Sequence, residues 1–334
     1  MKSFWNIYIR IIALGLIIVL GGCTKDSIEE IDTRKQEYIG FYGGMSVSTR
    51  SYEGRGASSQ LSYMEQEWEL TETSQSPQTK GRPVDILTGL NVGMFVHPYK
   101  NGGIQTAVMQ NHEFEFINNE DMKSISDLVL WETVSGTDSL HVYGYAPIIS
   151  ASSTNISTTT SNGVTTISYT VPSDVANQTD IIATDIKKVA SDYNQNIPLT
   201  FRHILTGVRF KTGFDCQVLS LKVVNVFGKG DFTVGHSWGN HGQPATTFTI
   251  PIPSGGKNVE ADTYISDDEN ILMMIPQEIP DSAYVEMRYI DENGDEGIIK
   301  ASLKGLKWEQ GVLVSYTLHE QKAENYVYFD LNAG

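Results

Sequence analysis

Val312-Leu-Val-Ser-Tyr-Thr-Leu318 places apolar or aromatic side chains at positions 312, 314, 316 and 318, with Ser315 and Thr317 between them. Successive side chains of an extended strand point to opposite faces, so this period of two is what a half-buried strand requires. The same rhythm recurs upstream. Leu140, Val142 and Ala146 alternate with His141, Tyr143 and Tyr145, and Ile167, Tyr169 and Val171 alternate with Thr166, Ser168 and Thr170. Further runs are Leu219–Val223, Phe248–Ile252 and Val285–Tyr289. No long segment keeps a 3.6-residue period with caps; a short helix is expected only within Asp121–Trp131. The chain therefore reads as all-β, built from short antiparallel strands at the spacing of sandwiches.

Its 334 residues exceed one ordinary domain. A Ser/Thr/Asn-rich stretch, Ser150–Ser161, is expected to be a long exposed loop. The polar run Ala190–Asn196 precedes a new cluster of strands from Pro198. This predicts an N-terminal sandwich over 37–192, a C-terminal sandwich over 193–320, and a strand-like tail over 321–334. In that tail Val327, Phe329 and Leu331 alternate with Tyr326, Tyr328 and Asp330.

The N-terminus reads differently. Lys2 and Arg10 flank the start, and Ile11–Leu20 is a short apolar run ending in Leu20-Gly21-Gly22-Cys23. Ten residues cannot span a bilayer, which needs about 20. Run and motif match a secretory leader with a lipoprotein cleavage site, so 1–22 is expected to be a signal peptide and Cys23 the lipidated residue. Two or three acyl chains anchor a protein stably. Residues 23–36 are polar and read as a tether.

Net charge is −16, and residues 260–296 hold twelve acidic side chains against Arg288 alone. Nucleic acid needs a basic surface, so it is excluded as a partner. Within this stretch Asp291, Asn293 and Asp295 have the 1-3-5 spacing of a calcium loop, but Glu296 stands where that loop needs glycine and Ser302 where it needs a carboxylate. Asn293-Gly294 between two alternating runs is instead a hairpin signal. His236 and His241 are five apart, a spacing that suits neither helix nor strand ligation of zinc. No metal or cofactor is expected. No nucleophile elbow, phosphate loop, dinucleotide fingerprint or zinc-protease motif occurs, so no catalytic residue is assigned. Cys216 sits in a strand-like segment and reads as a small core residue.

Several segments together resemble the fimbrillin family of type V pili. They are the cysteine motif at Cys23; Thr49-Arg50 after a first β segment; and His141-Val-Tyr-Gly-Tyr-Ala-Pro147. Pro198-Leu-Thr-Phe-Arg-His-Ile-Leu-Thr-Gly-Val-Arg-Phe210 is a fourth, and Leu272-Met-Met-Ile-Pro-Gln277 with Trp308-Glu-Gln-Gly311 and Tyr316-Thr-Leu318 a fifth. The resemblance implies two tandem transthyretin-like sandwiches and a non-enzymatic, surface-exposed pilus component: stalk, tip or anchor. It implies a lipoprotein precursor held in the outer membrane and cut after an arginine, here Arg50 or Arg55. The cut releases the first strand, whose apolar positions are Ile39, Phe41, Met45 and Val47, and a neighbouring subunit then adds a donor strand. Implied partners are other pilus subunits, the outer membrane through the lipid, and a host or bacterial surface ligand. The segment Val327–Leu331 has the pattern of such a donor strand, of a last sandwich strand, or of the first strand of a further region.

A second class stays open, a surface glycan-binding lipoprotein of a nutrient-uptake system. It would use an aromatic platform, for which Trp68, Trp131, Trp238 and Trp308 are the available tryptophans.

Overall fold

The computed structural model describes residues 37–45, 54–55, 62–68, 84, 87–149, 153–243, 246–266 and 270–320, with 54–55 and 62–68 as backbone. The described residues fall in one contact unit, 37–334. Nearly all regular structure is β-strand; Trp131–Val134 and Val175–Asn177 are short 3-10 turns. None of the described helices is long and apolar enough to cross a membrane.

The largest sheet has nine strands. Its main path runs Phe41–Met45, Ile197–His203, Ile182–Thr184, Ser139–Ala146, Asn91–Lys100, Met109–Phe116 and Met122–Ser124. Its centre is covered on both faces. Leu140, Val142 and Ala146 enter one hydrophobic cluster with Val92, Met94 and Val96. From the opposite face Phe95, Tyr143 and Tyr145 enter a second cluster. The alternation at 140–146 thus divides residues between two cores, not between core and water. This is why Val92 through Pro98 are all buried, as expected for a strand enclosed on both faces.

The second cluster is built mainly by Cys216–Val226, Tyr284–Ile290 and Glu296–Ser302 on one sheet and Thr206–Thr212, Leu272–Met274 and Leu313–Glu320 on another. Val314, Tyr316 and Leu318, the alternating residues of the last strand, are fully buried in it. Ser315 and Thr317 are buried too, and that strand lies between Thr206–Thr212, parallel, and Ser62–Trp68, antiparallel. Trp308 Nε1 donates to Tyr316 Oη at 3.0 Å, so the largest buried aromatic pair also satisfies its polar atoms.

Pairing crosses the expected 192/193 boundary at several points. Phe41–Met45 and Ile182–Thr184 pair with Ile197–His203, Val164–Thr170 pairs with Lys229–Thr233, and Ser62–Trp68 pairs with Leu313–Glu320. Two expectations are corrected. Asp121–Trp131 holds no helix apart from Trp131, which opens the 3-10 turn; Met122–Ser124 is an edge strand and the rest is irregular. Ser150–Ser161 is not wholly loop: Ile156–Ser161 pairs with Val164–Thr170 around Asn162-Gly163. Both turn residues take positive φ, 50° and 71°, which is the two-residue hairpin geometry, and threonine suits an exposed edge strand.

The Asp291–Asp295 loop is also a hairpin turn, between Tyr284–Ile290 and Glu296–Ser302. Gly294 takes φ 88° while Asn293 does not take a positive φ, so this is the longer turn with a glycine bulge. Asp291 Oδ1 accepts from the backbone N–H of Asn293 and Asp295. Such hydrogen bonds, the backbone one from Asp295 first, hold its carboxyl below the usual range. The carboxylate organises the turn.

Candidate functional site

The first strand, Phe41–Met45, lies at one end of the nine-stranded sheet and runs parallel to Ile197–His203. Register is fixed from Phe41 opposite Ile197 to Met45 opposite Phe201, and Ile197 N donates to Gly40 O at 2.8 Å. The other edge is paired as well. Ile39 N donates to Val129 O at 2.8 Å, Gly43 N to Glu120 O at 2.7 Å, and Trp131 N to Glu37 O at 3.0 Å. The segment therefore sits in a slot between two stretches of backbone.

Alternation sorts its side chains. Ile39 and Phe41 are buried to 2% and 1% exposure, and Phe41 stands edge-on to Phe114 with ring centroids 5.0 Å apart. Met45 packs partly buried against the same cluster. Tyr38 and Tyr42 face outward at 38% and 42% exposure. Burying an Ile or Phe is worth about 1.5–3 kcal/mol each, so the two anchors supply a large share of a typical domain stability of about 5–15 kcal/mol. Removal of this strand would leave open backbone edges and two apolar sockets.

Three of the four predicted strand positions thus converge on one core: Ile39, Phe41 and Met45. Val47, Arg50, Cys23, Val327, Phe329 and Leu331 lie outside the described residues. Arg55 lies in a two-residue strand, Gly54–Arg55, whose backbone pairs with Glu65 and Gln66. Sequence reading did not single out Gly43, which is buried and opposite Leu199. The Gly43-Gly44 pair inside an alternating strand was the available signal, since glycine there marks a close backbone approach.

The other candidates resolve into structural roles. His241 Nε2 lies 2.9 Å from Pro276 O, and His236 is exposed. No group of three or more His, Cys, Asp or Glu among the described residues could hold a metal ion. Cys216 is buried at the start of its strand, and burial, with the Glu320 carboxylate adding to it, pushes its thiol up to about 11. Trp131, Trp238 and Trp308 are 4%, 9% and 0% exposed, so none of these three offers a platform face. Trp68 lies in a strand described as backbone only.

Comparison with known proteins gives a family. The chain matches the model of a fimbrillin-like family over residues 79–328. A search of curated proteins finds no match. Among solved structures, a candidate cell adhesion protein from Bacteroides uniformis ATCC 8492 is 9% identical with a TM-score of 0.50, covering 71% of this chain and 88% of its own. A fimbrial protein from Bacteroides vulgatus ATCC 8482 is 14% identical with a TM-score of 0.49, covering 69% and 91%. A candidate cell adhesion protein from Bacteroides ovatus ATCC 8483 is 13% identical with a TM-score of 0.49, covering 89% and 100%. With the family model spanning most of the chain, the protein belongs to the fimbrillin-like family.

Proposed function

We propose that the chain is a fimbrial subunit that joins its neighbours by strand exchange at the first-strand slot. It is exported as a lipoprotein through Cys23, held at the outer membrane, and cut after Arg50 or Arg55. The cut frees the segment that carries Ile39, Phe41, Met45 and Val47. A strand from another subunit then occupies the slot, and Val327–Leu331 serves as the outgoing strand. Family membership supports the structural role.

The observation that carries the exchange reading is the form of attachment. A short terminal strand is held by backbone pairing on both edges and by two side-chain anchors. Backbone pairing is indifferent to most side chains, so a second strand can replace the first without loss of hydrogen bonds. An empty slot would expose unpaired N–H and C=O groups, which favours rapid occupation.

The test is to shear fimbriae from producing cells and follow this chain by mass spectrometry and by electrophoresis of unboiled samples. The chain should enter high-mass, dissociation-resistant polymers. Recovery only as a membrane-bound monomer, together with binding on a glycan array, would refute the reading.

A further inference from the structure

We infer that Gly43 makes the slot selective: a strand lies beside Ile197–His203 only if it carries two apolar residues two apart and a glycine two positions further on. This rests on the strand-exchange reading and deepens it by naming the sequence pattern of the partner. Positions 39, 41 and 43 of the chain's own first strand are Ile, Phe and Gly.

The three glycines of this segment are not equivalent. A Cβ added at Gly43 would fall well inside van der Waals distance of the carbonyl oxygen and carbon of Leu199. Those atoms belong to the paired strand, with Leu199 directly opposite in the ladder. Backbone of a paired strand cannot swing aside as a side chain can. At Gly40 the obstacle is the Asn196 side chain, which can rotate, and at Gly44 the nearest atom is Asn119 O at 3.7 Å, an ordinary contact. Only position 43 excludes a side chain outright. The neighbouring positions demand the opposite, because Ile39 and Phe41 fill the core.

The tail of the same chain meets one demand and fails the other. With Val327 and Phe329 in the sockets of Ile39 and Phe41, Leu331 falls at the glycine position. With Phe329 and Leu331 in the sockets, Ala333 falls there. Either register puts a Cβ against the Leu199 carbonyl. The slot is therefore closed to the tail of a second copy, and the strand that enters it bears apolar-x-apolar-x-Gly. The tail serves a groove other than this one. Gly43 then acts as a filter against self-assembly through the tail.

Two experiments test this together. First, the folded chain is nicked by trypsin and offered four fluorescent peptides: residues 37–47, the same peptide with Gly43→Ala, residues 324–334, and that tail with Leu331→Gly. Uptake is read by anisotropy and native electrophoresis. The 37–47 peptide should enter, the Gly43→Ala peptide should bind at least tenfold more weakly, the native tail should not enter, and Leu331→Gly should confer uptake. Equal uptake of the Gly43→Ala peptide, or native tail binding as well as its Leu331→Gly form, overturns the filter. Failure of all four peptides rejects strand exchange, and the filter is then decided in the intact chain. There Gly43→Ala should raise hydrogen exchange of residues 39–45 at least tenfold while exchange in Tyr284–Ile290 stays unchanged. Unchanged protection of residues 39–45 in that variant overturns the inference.

Discussion

Phe41 meets Phe114 edge to face, with ring centroids 5.0 Å apart and planes inclined at 73°. Phe114 belongs to Met109–Phe116, on the far side of the sheet path from the first strand, so this contact spans the core that the first strand closes. Phe41→Ala should therefore cost about 3–5 kcal/mol, the range for emptying a buried phenylalanine site. Tyr42→Ala, one residue on but facing outward, should stay within about 0.5 kcal/mol. Denaturant midpoints of the two variants check this; equal losses would mean the strand does not seat its odd-numbered side chains as described.

The Trp308–Tyr316 hydrogen bond makes a sharper prediction. Both side chains are fully buried, so Trp308→Phe leaves the Tyr316 hydroxyl unsatisfied. That should cost about 1–3 kcal/mol beyond the lost volume. Adding Tyr316→Phe removes the orphan and should recover part of the loss, measured as a non-additive double-mutant cycle.

Acid stability should depend on His97. Burial, the largest cause, holds its pKa below the ordinary 6.5; a hydrogen bond with the Gln105 backbone opposes this and His141 adds to it. A histidine whose folded pKa is depressed takes up its proton more readily when unfolded. Stability is therefore full above about pH 6.5 and declines as pH falls toward the folded value, by at most about 1.4 kcal/mol per pH unit for one proton. His141 is shifted the same way, mainly by burial and then by Lys188. Unfolding at pH 7.5 and 5.5 should show the decline, and His97→Gln should shrink it.

Cys216 should be nearly inert in the folded chain. With the thiol pushed up to about 11, only about one molecule in a thousand carries the reactive thiolate at pH 8. Iodoacetamide should label Cys216 only when denaturant is added. Fast labelling of the native protein would contradict its placement in the core.

The fold class was legible because alternation is a local property, and Val314, Tyr316 and Leu318 lie in the core as the pattern demands. Asn91–Lys100 was missed for the complementary reason: a strand buried on both faces has no alternation to show. Ile156–Ser161 was read as loop because its composition is polar, whereas an edge strand needs only backbone pairing and a turn such as Asn162-Gly163. The first strand could be found from Ile39, Phe41 and Met45. Its two-sided pairing with Ile197–His203 and with residues 120–131 could not, since partners so distant in sequence leave no local trace. Gly43 was not singled out, because its role depends on Leu199 lying opposite it.

Exchange of the first strand, as proposed, has its simplest test in N-terminal sequencing of this chain recovered from isolated fimbriae. A start at Ser51, or at Gly56 if Arg55 is used, is expected, with residues 39–45 absent from the polymer. A lipidated Cys23 still joined to Ile39–Met45 in the assembled fibre would contradict it.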